Sequence, residues 1–294
     1  MDNRSEIRDF MMSRRAKVSP QQVDLPVHGP RRVPGLRRSE VARLAGVSIE
    51  YYTRLERGNL AGVSDSVLDA VARALRLDDA ERTHLADLAR NCGPAARRRR
   101  PDPSRKVRPN LQRLLDALTG APGFVLDRRA DLVAANPLGR ALLAPLYERA
   151  GAPNHARFVF LDARAAQFWT DWAKVADDVV ALLHVQAARY PYDKGLTELI
   201  GELSTRSDQF RTRWARHDVR AHTTGVKRLQ HPVVGPLELT FEVLMPAADD
   251  DQALVVYCAE PGSASADGLR LLAGWAATGG GQLARPDDAP LPNG

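Results

Sequence analysis

Apolar residues recur at three- and four-residue intervals through most of this chain and alternate with polar ones in only a few stretches, so helices should dominate. Ile7, Phe10 and Met11 make one stripe over Asp2 to Ala16, predicting a short amphipathic helix. From Lys17 to Gly35 the periodicity gives way to Pro20, Pro26, Pro30 and Pro34, which predicts an extended connection. Val41, Leu44 and Ala45 restore helical spacing, and Gly46 stands where a left-handed helix stop favours a residue without Cβ. Val47 is an apolar plug, Ser48 an N-cap, and Tyr52 and Leu55 give a second short helix one buried face. Ser64 then opens a helix bearing Val67, Leu68, Val71, Ala74 and Leu75, and Asp78 opens another bearing Leu85, Leu88 and Ala89. These make a five-helix bundle over 1–92, with His84 expected at its surface or half-buried.

The segment 93–108, with four consecutive arginines between prolines, cannot bury a core and reads as a basic inter-domain linker. Beyond it, Leu111, Leu114, Leu115 and Leu118 form a helical stripe, and Phe124–Asp127 and Asp131–Ala135 flank Arg128-Arg129 as a hairpin. Asn136-Pro137 opens a further helix. One long helix is expected from Asp162 to Gln186 through Phe168, Trp169, Trp172, Val175, Val179, Leu182 and Leu183. Two shorter helices follow, one with Leu196, Leu199, Ile200 and Leu203, the other with Phe210 and Trp214. Val226–His231, Leu237–Met245 and Ala253–Ala259 then read as a three-stranded antiparallel meander. The expected fold class is mainly α, an N-terminal helical bundle followed by an α+β second domain over 109–262. Residues 263–294 hold a short helix with Leu269, Leu271, Leu272 and Trp275, then a Gly- and Pro-rich tail read as disordered.

Charge sharpens this division. Of the net +6, residues 1–108 carry 23 Lys+Arg against 14 Asp+Glu, a net +9, while the remainder carries 19 against 22, a net −3. The basic half contains the two short helices, and such asymmetry suits phosphate neutralisation, although an anionic membrane surface would also attract it. Cys92 and Cys258 stand apart without C-x-x-C spacing, which fits a reducing compartment. No run of eighteen apolar residues exists and the first residues are charged, so the expectation is a cytoplasmic protein with no membrane partner. G-x-S-x-G, P-loop and G-x-G-x-x-G motifs are missing, so no enzyme and no catalytic residue is expected. His184, His217, His222 and His231 lack the close paired spacing common at metal and haem sites, so no metal is expected.

The stretch RRSEVARLAGVSIEYYTRLERG, Arg37 to Gly58, resembles the Xre/Cro-like helix-turn-helix family, in which a glycine turn, a Ser or Thr cap and a closing L-E-x-G recur. Here these are Gly46, Ser48 and Leu55-Glu56-Arg57-Gly58. The resemblance implies that double-stranded DNA is the partner and that Ser48, Ile49, Glu50, Thr53 and Arg54 face bases. It also implies that Arg37 and Arg38 meet phosphate at a helix N-terminus, with Tyr51 in either role and Arg57 closing the recognition helix. His28, Arg31 and Arg32 read either as a basic arm or as a solvated loop.

Two strands, a helical middle and three strands is the order of a PAS-like domain. RFVFLDARAAQFWTDW, ELSTRSDQFRTRWARHDV, GVKRLQHPVVGPLELTFEVL and LVVYCAEPGS resemble the MmyB-like ligand-binding domain of actinobacterial-type regulators. That resemblance implies a transcription regulator whose PAS-like sheet covered by helices holds a small apolar ligand of the fatty-acid class; a homodimer is expected, and a symmetric dimer reading two half-sites would give a palindromic operator. Apart from such a ligand no cofactor is expected. Trp172, Trp214, Phe241 and Tyr257 are candidate walls, and His217 and Arg220 are candidate head-group contacts. Each aromatic also serves as core filler, and His217 reads equally as a tie from a helix end to the next loop. The alternative function is a helix-turn-helix regulator whose second domain only dimerises or binds a protein.

Overall fold

The computed structural model describes residues 3–26, 34–92, 107–148, 151–218, 223–246 and 251–278. Its helices and strands divide between two compact units, one comprising residues 1–103 and 177–221, the other 104–176 and 222–294. Each unit is therefore assembled from two separate stretches of chain.

In the first unit, α1 (Asn3–Lys17), α2 (Arg38–Ala45), α3 (Ile49–Glu56), α4 (Asp65–Ala74) and α5 (Asp79–Arg90) form the expected five helices. Ile7, Phe10, Met11, Leu36, Val41, Tyr52, Leu55, Leu60, Leu75, Leu85 and Leu88 make one fully buried core. Burial of each large side chain contributes about 1.5–3 kcal/mol, so this core dominates the unit's stability. The caps follow the sequence at α5, where the Glu81 N–H donates to Asp78 Oδ1 at 2.8 Å and the Asp78 N–H donates to Glu81 Oε2 at 3.1 Å. At α4 they do not: Ser64 precedes the helix, but its hydroxyl pairs with that of Ser66 at 3.0 Å.

Three expectations are corrected here. The stretch read as extended after Lys17 contains a 3-10 turn, Pro20–Val23, where proline's fixed φ suits the first helical position. Leu44 is exposed, and Ala42 takes its place in the buried face of α2. His84 is fully buried on α5, edge-on to Phe10 with ring centroids 4.8 Å apart. Burial pushes its imidazole down to about 3, so it is neutral at pH 7.

The chain then enters the second unit with α6 (Pro109–Ala117), the hairpin β1 (Gly123–Asp127) and β2 (Leu132–Ala135), and α7 (Pro137–Leu142). Next come α8 (Ala144–Tyr147), α9 (His155–Leu161), α10 (Ala165–Phe168) and α11 (Trp172–Arg189). The single helix expected from Asp162 is thus interrupted. Trp169 leaves the helical path to bridge Leu229 and is wholly buried, while the Thr170 N–H donates to the Arg228 carbonyl at 3.0 Å. A helical period continued in the side chains here although the backbone made a sheet contact. α11 begins in the second unit and continues into the first, where α12 (Lys194–Arg206) and α13 (Asp208–Trp214) also belong.

β3 (Thr224–His231), β4 (Gly235–Leu244) and β5 (Gln252–Cys258) return to the second unit, followed by α14 (Ala264–Ala277). The five strands form one antiparallel sheet in the order β2-β1-β5-β4-β3. Leu229 pairs with Leu237, Phe241 with Tyr257 and Phe124 with Val255, so the pleat puts these side chains on one face. Val125 and Leu254 point the other way, into a cluster with Leu111 and Leu115 of α6. Leu114, expected in that stripe, is 51% exposed. α14 packs on β4, where a Cβ at Gly268 would come within 2.7 Å of Leu237, so the missing side chain permits the approach. The architecture is the expected one: a helical N-terminal region, then a five-stranded antiparallel sheet covered by helices.

Candidate functional site

The first candidate surface is built by α2, the turn and α3. Gly46 takes φ 67°, the left-handed conformation that ends α2, and its N–H donates to the Arg43 carbonyl at 3.2 Å. Ser48 Oγ accepts from the Tyr51 N–H at 3.0 Å, fixing the start of α3. At the far end Gly58 takes φ 92°, and a Cβ there would lie 2.5 Å from the Arg4 carbonyl oxygen. Both glycines are thus demanded by backbone geometry, the second also by the close approach of α1.

With Tyr52 and Leu55 buried, the opposite side of α3 presents Ser48, Ile49, Glu50, Arg54 and Arg57 as exposed residues and Tyr51 and Thr53 as half-buried ones. Ile49 is 48% exposed. The Arg54 guanidinium lies over the Tyr51 ring, 4.7 Å from its centroid, so Tyr51 orients the arginine. Arg37 is exposed, and its N–H donates to Glu40 Oε2 at 2.6 Å.

Arg38 has a role the sequence did not disclose. Its Nε pairs with Glu56 Oε2, while Arg15 Nε donates to Glu56 Oε1 at 2.6 Å. Glu56, the acidic residue of the L-E-x-G signature, is buried and held between two guanidiniums from α1 and α2. The Arg38 side chain remains 45% exposed, so it borders the α3 surface while pinning it. Sequence spacing did not reveal it, because Arg54 and Glu56 both flank the buried Leu55 and only Glu56 is buried.

The second candidate surface is the sheet face that carries Leu229, Leu237, Leu239, Phe241, Tyr257 and Phe124, all buried. Phe241 and Tyr257 rings lie 6.0 Å apart, and Tyr257 and Phe124 rings 5.7 Å apart. Lys227, paired with Leu239 across β3 and β4, is buried on this face with Nζ 5.2 Å from the Phe241 ring centroid. A buried cation beside an aromatic wall was legible in the alternation of V-K-R-L, where Lys227 shares its phase with Leu229. His231 stands at the end of the same row, with Nε2 donating to the Ala141 carbonyl at 3.1 Å and Nδ1 accepting from the Val233 N–H at 3.2 Å. Burial lowers its pKa, and both ring positions are structurally engaged.

The sequence-derived ligand candidates fall in different units. Phe241, Tyr257 and Trp172 belong to the second, where Trp172 is half-buried and its indole N–H donates to the Val159 carbonyl at 2.9 Å. Trp214 and His217 belong to the first. There Trp214 stacks on His184 with centroids 3.7 Å apart and an interplanar angle of 11°, and the His217 carbonyl accepts from Arg14 Nη2. The His217 backbone carbonyl thus connects the end of α13 to α1, and its backbone takes φ 50°. Arg220, His28, Arg31, Arg32, the arginine run and the residues after 278 lie outside the described residues.

No helix among the described residues is long and apolar enough to cross a membrane. Residues 10–85 match a family described as a helix-turn-helix domain. Residues 107–272 match the family described as MmyB-like transcription regulator ligand binding domain. No curated protein matches the chain as a relative. The two matched domains are those of transcription regulators, and together they support a DNA-binding regulator that carries a ligand-binding domain. With the second match covering more than half of its residues, the chain belongs to the MmyB-like transcription regulator family.

Proposed function

We propose that this regulator is a cytoplasmic homodimer that reads a palindromic DNA site with α3 and changes its DNA affinity when a fatty acid occupies the second domain. The observation that carries the DNA reading is the exposed set at the capped N-terminus of α3, where Ser48, Ile49, Glu50 and Arg54 stand free of the core that Tyr52 and Leu55 fill. Polar side chains there reach base edges when the helix enters a major groove, and Ile49 supplies an apolar contact for a thymine methyl. Arg37 and Arg57 serve phosphates, and Arg38 does so from its ion pair with Glu56.

The ligand reading rests on the sheet face. Phe241, Tyr257 and Phe124 offer an aromatic wall, and Lys227 places a cation on that wall, which is the pairing an acyl chain with a carboxylate requires. Trp172 lies in the same unit as a further wall residue. Trp214 and His217 are assigned no ligand contact, because their rings serve the interior of the first unit. No catalytic step is proposed for either domain.

The test uses the full chain, delipidated and then titrated with palmitate. Saturable binding should appear at one molecule per chain and weaken about tenfold or more in Lys227→Met, the loss of one charge-assisted hydrogen bond. Unchanged affinity in that variant would remove Lys227 from the site, and no binding at all would move the second domain to an assembly role.

A further inference from the structure

Three residues remote in sequence converge inside the first unit: Glu6 on α1, His184 on α11 and His217 just after α13. All are buried, and one ligand atom from each lies within 4.8 Å of the others. Glu6 Oε1 is 3.0 Å from His184 Nδ1 and 3.4 Å from His217 Nδ1. We propose that these three side chains form a transition-metal site, with Zn(II) the ion that their imidazole and carboxylate donors favour.

The chemistry of His184 points there first. Its Nε2 is 3.1 Å from the Trp214 carbonyl, which can only accept, so Nε2 carries a proton. Nδ1 faces the Glu6 carboxylate at 3.0 Å. Either a second ring proton or a metal ion fills the space between these two atoms. A ring N–H given to a backbone carbonyl is also the arrangement that orients a metal-bound histidine. Stacking on Trp214 at 3.7 Å holds the ring plane, and the bond from Arg14 to the His217 carbonyl holds the third ligand's backbone.

Geometry and unmet hydrogen-bonding capacity agree. Zn–N and Zn–O bonds of about 2.0–2.2 Å in a tetrahedron put ligand atoms about 3.4 Å apart, close to both separations from Glu6. The His184 and His217 ring centroids are 4.9 Å apart, and their ligand atoms lie within 4.8 Å of each other. Glu6 Oε2 and His217 Nδ1 are buried without a hydrogen-bond partner. An ion held by His184, His217 and one Glu6 oxygen engages three protein donors, and a bound water would complete the tetrahedron. The neighbouring Arg14 guanidinium is offset by Glu81 at 2.9 Å and Asp218 at 3.9 Å, so a dication need not meet an uncompensated charge. The site would clasp α1 of the DNA-binding bundle to α11 and the end of α13.

The full chain, stripped with chelator and passed through a desalting column, should take up one Zn(II) per chain and melt at a higher temperature with it. Co(II) in its place should give the intense visible bands of a tetrahedral nitrogen and oxygen site without thiolate charge transfer. Glu6→Gln and His217→Gln, each checked for native circular dichroism, should lose about tenfold or more in zinc affinity. Failure of the wild-type chain to retain zinc would overturn the proposal and leave a proton alone between His184 and Glu6. Thiolate charge transfer, or full uptake by folded variants, would equally overturn it by placing the ion elsewhere. If either variant does not fold, the wild-type uptake and the cobalt spectrum still decide.

Discussion

The interior of the first unit and one sheet face of the second treat buried charge in opposite ways. In the first, Glu6, Arg14, Glu56, His184 and His217 lie among the apolar side chains and join helices by specific polar contacts. In the second, the sheet face is mainly aliphatic and aromatic, with Lys227 as the charged residue in its row on β3. The contrast sets α3, tied to α1 and α2 through Glu56, against a sheet face that offers apolar area and one lysine. Directional bonds position a surface, and an apolar wall with one cation suits the amphipathic ligand proposed above.

Substitutions can break that contrast, and the largest effect should come from Glu56. Glu56→Ala leaves the Arg15 guanidinium, whose side chain is 12% exposed, without its carboxylate. The expected loss is about 3 kcal/mol, the lower end for removing one partner of a buried pair because Arg38 reaches solvent. Urea unfolding of the full chain measures it; a loss below about 0.5 kcal/mol would show the pair to be incidental.

Arg54→Ala probes the surface that Glu56 positions. It should leave stability within about 0.5 kcal/mol and remove about 1–3 kcal/mol of discrimination between the selected site and random DNA. Equal weakening on both DNAs would reassign Arg54 to phosphate. Arg38→Ala should weaken all sequences alike and reduce the salt slope by about one, with a smaller stability loss than Glu56→Ala. Competition binding at several salt concentrations separates the two arginines.

The smallest effect concerns His231. Its folded pKa is depressed by burial, so the unfolded chain binds more protons below its ordinary value of 6.5. The stabilisation is fully present above that pH and is lost as pH falls below it, since a proton on Nδ1 would repel the Val233 N–H. His231→Asn should flatten the dependence of unfolding free energy on pH in this acid window. An unchanged slope would exclude His231 as its source.

Legibility in the sequence follows the same division. Gly46, Ser48 and Gly58 were readable because each is set by local backbone geometry, and the β-meander because alternation at Leu237, Leu239 and Phe241 needs only neighbouring strands. The break at Trp169 was not, since the competing contact comes from Leu229, sixty residues away in sequence. His84, Glu6 and His184 were hidden for a related reason. Their burial depends on helices from distant parts of the chain meeting in one unit, and no spacing within a single helix records that. Lys227 was recoverable from strand phase, whereas the assignment of Trp214 and His217 to a unit required the tertiary contacts.

The central claim is that ligand occupancy and DNA affinity are coupled. Fluorescence anisotropy of the full chain on its selected DNA site, at fixed salt, with and without saturating palmitate, tests it most directly. The two dissociation constants should differ by about fivefold or more, the lower range of coupling between sites. Equal constants with palmitate demonstrably bound would contradict the account, because a ligand without differential affinity for the two states shifts nothing.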